Sequence, residues 1–203
     1  LTGTEFLYQG QEIGMINLPR SWSIDEYLDI NTINYVEQFK EQYGKDKDFD
    51  EKFEKLMDNI NLLARDHARS PVQWDDSPNA GFTTGKPWTR VNDNYKEINA
   101  KSQLDDENSL YNFWKKALKL RKQYKDLMIY GSFKILDMEN EKTFTYLKST
   151  GKDRALVTIN FTTEPVEINK YDIEGSFNLL LSNNCNEDSN TLGPYEGRVY
   201  IIE

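Results

Sequence analysis

"FDEKFEKLMDNINLLARDHARSPVQWDD", residues 49–76, sets an amphipathic helix against a loop of another character. In its first half Phe49, Phe53, Leu56, Met57, Ile60 and Leu63 recur at helical spacing behind Asp48, which is available as N-cap, so the residues predict a helix over 49–64. In its second half Arg65, Asp66, His67 and Arg69 crowd together, and His67 is the only histidine in a chain of net charge −9. A helix C-terminus favours cations, so Arg65 can serve as a capping charge. A planar guanidinium can equally grip a polar ligand and a carboxylate together.

Upstream, "GTEFLYQGQEIGM" (residues 3–15) reads as a short strand over Thr4–Tyr8 that runs into a loop punctuated by Gly10 and Gly14. A helical stretch over Ile33–Tyr43 follows. Downstream, residues 66–106 are polar and irregular, with Pro71, Pro78 and Pro87, and a loop of that length is uncommon unless it is functional or covers something. An amphipathic helix over Glu107–Lys125 is expected to bury Leu110, Phe113, Trp114, Ala117, Leu118 and Tyr124, with Asp105 or Asp106 near its start.

From Tyr130 onward "GSFKIL", "KTFTYLKS", "DRALVTINF", "PVEINK", "SFNLLLS" and "GRVYIIE" are β-rich runs separated by turn residues, the pattern of an antiparallel sandwich. Ala155, Val157, Ile159 and Phe161 alternate onto one face. The chain therefore divides into residues 1–128 and 129–203. A lone strand that precedes helices suits the last βα unit of a barrel whose other units lie upstream.

Composition narrows the partners. Apolar residues make up 37% of the 203 and aromatics 13%, enough for a buried core. Nucleic acid is excluded as a partner by the net charge, since phosphate binding needs a basic surface. Aromatics beside Asn, Gln, Asp and Arg suit a neutral polar ligand. Cys185 is the only cysteine, so an intrachain disulfide and a thiolate metal site are excluded, and a reducing, cytoplasmic compartment is the simplest setting. No apolar run approaches the roughly 20 residues of a membrane helix. The absence of EF-hand loops and His clusters predicts no metal and no cofactor.

"GTEFLYQGQEIGM", "ARDHARSPVQWDDSPNAGF", "KPW" and "SLYNFWKKALKLRKQY", in that order, closely resemble the end of α-glucosidases of the α-amylase superfamily, glycoside hydrolase family thirteen, in its oligo-1,6-glucosidase, isomaltase and maltase branch. The resemblance implies that residues 1–128 are the last strand, loops and helices of a (β/α)8 barrel, and that residues 129–203 are a β-sandwich. It implies an oligosaccharide substrate and a retaining mechanism with two carboxylates. Those carboxylates belong to earlier barrel strands, so no catalytic residue is assigned here, and the missing upstream barrel segment is itself a required partner. Trehalose-6-phosphate hydrolase, dextran glucosidase and sucrose isomerase share the chemistry. The heavy chains of amino acid transporters are similar in fold without working carboxylates, and the intact "ARDHARSPVQW" argues against that reading.

The same resemblance makes Arg65 the direct substrate contact, at the subsite for the non-reducing glucose. Asp66, His67 and Arg69 are expected to hold the loop behind it. Gln11 and Glu12 lie where strand-end loops face a barrel's active site, and can equally bond to loop backbone and help close the barrel. Tyr8 and Trp74 are read as packing aromatics that could also stack on sugar. Asn79, Gly81 and Phe82 are read as structural. Asn31 stands where yeast-type relatives carry an acid, which alters any acceptor-side hydrogen bond.

Overall fold

The computed structural model of the chain describes residues 2–169, 171–184 and 190–203. Cys185 lies outside the described residues. Two compact units form: Leu7–Tyr111, and Leu1–Phe6 together with Asn112–Glu203.

In the first unit, helices α1 (Ile30–Tyr43) and α2 (Phe49–Leu63) pack around Leu18, Trp22, Tyr27, Val36, Leu56, Met57 and Ile60. Each such side chain, taken from water, contributes roughly 1.5–3 kcal/mol. Helix α1 begins three residues before the sequence expectation because the Asp29 carboxylate caps it, accepting from the Asn31 amide at 2.9 Å. Asp48 does not cap α2 by its side chain. Its carboxylate and that of Asp46 are taken by the Lys52 amine, at 3.1 and 2.6 Å. Leu63, expected on the buried face, is 75% exposed, since it lies a turn past Ile60, the last buried residue of the helix.

Residues 65–106 hold two short 3-10 turns, Arg65–Arg69 and Asp93–Lys96, a bend at Pro78–Gly81, and the one-turn helix α3 (Ala100–Gln103). Buried amides organise this loop. Gln73, fully buried, donates to Asn94 Oδ1 at 3.0 Å and the Ile98 carbonyl at 2.5 Å, and Asn92 donates to the Ile16 and Asn17 carbonyls.

Helix α4 runs from Leu110 to Gln123, and a separate turn, α5, from Lys125 to Met128. The expected single helix over 107–125 is thus shorter at both ends. None of its residues is fully buried, and Leu110 and Leu118 remain 42% and 39% exposed.

The second unit is built on a five-stranded antiparallel sheet in the order β1 (Ser132–Ile135), β2 (Thr143–Ser149), β3 (Arg154–Asn160), β7 (Gly197–Ile202), β5 (Phe177–Ser182). Two short strands, β4 (Val166–Glu167) and β6 (Thr191–Leu192), pair separately. Residues Thr4–Tyr8 form no ladder among the described residues, against the strand expected there; a strand needs a neighbour to complete its hydrogen bonds. β3 also departs from one-faced alternation. Ala155 and Val157 are buried, but so are Leu156, Thr158 and Asn160 on the opposite face, so the strand is covered on both sides. Phe161, past the strand end, is 61% exposed.

Candidate functional site

α2 stops at Leu63 because Ala64 turns extended (φ −62°, ψ 137°), and the chain re-enters a single 3-10 turn at Arg65. That turn holds four charged or titratable side chains whose surroundings differ. Asp66 is buried, and its Oδ1 accepts the amides of Leu28 (2.6 Å) and Asp29 (2.9 Å). Leaving those amides unpaired would cost about 1–3 kcal/mol. Arg69 donates through Nη1 to Oδ2 of Asp29, which is itself buried. Asp29 therefore caps α1 with one oxygen and holds Arg69 with the other.

His67 accepts the Leu18 amide at Nδ1, at 3.1 Å. That contact makes Nδ1 the accepting nitrogen of the ring. The ring meets Tyr27 edge-on at 6.1 Å, and its buried Nε2 has no partner among the described residues. Arg65 differs from all three. Its side chain is exposed, and its guanidinium has no hydrogen bond or ion pair among the described residues.

The electrostatics centre on Asp29. The Asn31 amide, then the Arg69 hydrogen bond and charge, then the Arg65 charge, hold its carboxyl below the usual carboxylate value against the opposing effect of burial. Asp66 and Asp29 both accept hydrogen bonds from neighbouring segments: Asp66 from the Leu28 and Asp29 amides, Asp29 from the Asn31 amide and Arg69. Together they brace a turn on which the Arg65 guanidinium alone has no partner among the described residues.

Two neighbouring segments complete the surroundings. The 3-10 turn Gln11–Ile13 lies between Gly10 (φ 89°) and Gly14 (φ 73°), and a Cβ at Gly10 would meet the Met15 sulfur at 2.6 Å. Gln11 is exposed and accepts the Tyr8 amide, whereas Glu12 has a buried Oε2 without a partner among the described residues. Tyr8 donates its hydroxyl to the Ala68 carbonyl at 2.6 Å, tying this segment to the Arg65 turn. Its ring stays 55% exposed.

In the NAGF element, Asn79, Ala80 and Gly81 all take left-handed angles (φ 56°, 56° and 66°). The bend returns the Ala80 carbonyl to the amides of Trp74 and Asp75. Asn79 clamps the far side through Nδ2 to the Thr83 and Gly85 carbonyls. Trp74 remains 53% exposed, and Asn31 sits in the first turn of α1.

Sequence reading missed Asp29, Gln73 and Asn92. Asp29 carried a signal, an acid just before a helix. The buried amides carried none, since polar residues in a loop have no periodicity to reveal burial. Among the described residues no group of three or more His, Cys, Asp or Glu converges as a metal site would require. Among the described residues no helix is long and apolar enough to cross a membrane.

The sequence profile described as "Alpha amylase, catalytic domain" matches residues 1–131. The chain belongs to the alpha-amylase family. Within that family it is similar to the alpha-glucosidase of Candida albicans, 54% identical over 100% of this chain and 36% of the relative. It is also similar to the oligo-1,6-glucosidase of Parageobacillus thermoglucosidasius, at 39% identity over 100% of this chain and 36% of the relative. Among solved structures, a trehalulose synthase from Pseudomonas mesoacidophila superposes with a TM-score of 0.89 at 32% identity, over 100% of this chain and 36% of that one. A Bacillus licheniformis trehalose-6-phosphate hydrolase does so with a TM-score of 0.85 at 32% identity, again over 100% and 36%. The chain thus spans little more than a third of the length of these alpha-amylase family relatives.

Proposed function

We propose that the chain is part of a retaining α-glucosidase that removes terminal non-reducing α-linked glucose from short oligosaccharides of the maltose, isomaltose or sucrose type. The observation that carries this reading is Arg65, an exposed guanidinium without a partner among the described residues, on a turn whose other charged side chains are engaged in holding it. A free planar donor suits vicinal sugar hydroxyls together with a carboxylate from another segment. The identity to the Candida albicans alpha-glucosidase supports the choice of activity.

In this proposal Arg65 binds the reacting glucose, Asp66, His67 and Arg69 position the turn, and Gln11 and Glu12 stand behind the neighbouring loop. Residues 1–128 are the end of a (β/α)8 barrel and residues 129–203 a β-sandwich, which the profile match over residues 1–131 supports. The nucleophile and the acid/base, two carboxylates in a retaining mechanism, come from the part of the longer protein that these residues do not include. A cytoplasmic setting is supported by the single cysteine.

The superpositions on a trehalulose synthase and a trehalose-6-phosphate hydrolase favour a second reading within the same chemistry. Turnover by the full-length protein on maltose, isomaltose, sucrose and trehalose 6-phosphate decides between them. Glucose release from the first three supports the α-glucosidase. Rearranged sucrose, or activity confined to trehalose 6-phosphate, replaces it, and no turnover on any of the four refutes it.

A further inference from the structure

Residues 86–91 fold beside the 3-10 turn Ile24–Glu26 and wall a groove of about 460 Å3. That volume lies within the roughly 300–1,000 Å3 usual for small-molecule sites. Trp88 lines it with a ring 59% exposed, and neither its indole N–H nor the Asp25 carboxylate has a partner among the described residues. Glu26 and Arg90, by contrast, are fixed. Arg90 pairs with Glu26 at 3.3 Å and with Asp93 at 2.6 Å, and its guanidinium lies 4.2 Å from the centre of the Trp22 ring. Trp22 in turn donates to Asp93 at 2.8 Å, so a core tryptophan anchors this polar wall.

The groove thus offers an aromatic face and a carboxylate, Asp25, without partners among the described residues, beside a preorganised carboxylate–guanidinium pair. Asp25 and Glu26 balance Lys86 and Arg90 in formal charge, which gives no preference for a polyanion or a polycation. A pyranose has the matching chemistry: an apolar C–H face for the indole, and a rim of hydroxyls to donate to carboxylates and accept from cations.

We propose that this groove binds a glucose unit of an α-linked oligosaccharide, stacked on Trp88 and hydrogen-bonded to Asp25 and Glu26. That the sugar is α-linked glucose rests on the α-glucosidase reading. That it is a neutral pyranose rests on the groove's own residues. The indole stack is rigid, whereas the Asp25 carboxylate supplies a charge-assisted acceptor for one hydroxyl.

Fluorine NMR of the full-length protein labelled with 5-fluorotryptophan, titrated with a sulfur-linked isomaltotriose that resists hydrolysis, tests the proposal. The Trp88 resonance, assigned by its loss in Trp88→Phe, is expected to move and saturate in the millimolar range. In Asp25→Ala the same titration is expected to shift to about tenfold higher concentration, the loss of one hydrogen bond to a charged group. A stationary Trp88 resonance, an unchanged midpoint in Asp25→Ala, or an equal shift with a proline-rich peptide would each overturn it. Because hydrolysis is measured separately, turnover with a stationary Trp88 refutes only the groove, and a moving Trp88 without turnover refutes only the glucosidase reading.

Discussion

Arg65 and Arg69 stand at the two ends of one 3-10 turn, and their surroundings separate their roles. Arg69 is spent on Asp29, while Arg65 has an exposed guanidinium without a partner among the described residues. In the full-length protein Arg65→Ala is expected to lower kcat/KM by about a hundredfold, as losing a charge-assisted anchor would, with an unchanged thermal midpoint. Steady-state kinetics returning a near-normal value would leave Arg65 as a helix-end cation. Asp29 sets a pH dependence. Its folded carboxyl titrates below the ordinary value of 3.8, so its contribution to stability is complete above that value and is lost as pH falls through the lower, folded one. Thermal midpoints between pH 2.5 and about 6 should therefore fall more steeply on the acid side in the wild type than in Asp29→Asn, which keeps an N-cap. Parallel curves would show that Asp29 contributes no such linkage.

Helices and turns were legible to different degrees. The apolar spacing from Phe49 to Ile60 located α2, because a buried stripe imposes its period on the residues. The ends were less legible. Asp48 has the sequence of a cap, yet Lys52 competes for its carboxylate, and the polar Asn31 and Thr32 concealed the true start of α1. The NAGF element shows why Gly81 is glycine: φ is +66°, and a Cβ there would lie 2.7–2.8 Å from the Asp75 carboxylate, which Ser77 holds in place through its amide and hydroxyl. Gly81→Ala is expected to destabilise the protein by about 1–3 kcal/mol through the forced left-handed angle and this contact. Denaturant unfolding measures it, and an unchanged midpoint would show that the loop adapts.

At the scale of the whole molecule, the sheet unit depends on polar groups that its strand pattern did not announce. Lys148, in the alternating run "KTFTYLKS", is fully buried with Nζ donating to the Gly131 carbonyl at 2.6 Å, and burial pushes its amine below the ordinary lysine value. Glu196 and Arg198 form a buried pair at 2.5 Å. Burial opposes ionisation of Glu196, but the hydrogen bonds from Arg198, the Gly193 amide and Ser182 prevail and hold its carboxyl low. Arg198→Met leaves that carboxylate buried and unpaired, and is expected to cost about 3–5 kcal/mol in equilibrium unfolding. A loss below about 1 kcal/mol would mean that the remaining donors suffice. The sequence by itself determined the elements that periodicity writes into it: the buried stripe of α2, most strands of the sheet, and the position of the Arg65 motif at a helix end. Tertiary structure alone decided which charges meet, as Asp29 with Arg69 across 40 residues and Asp66 with the Leu28 amide across 38. The reason is physical: a buried face repeats along the chain, whereas a hydrogen bond between two loops is a single contact fixed only when their backbones are brought together.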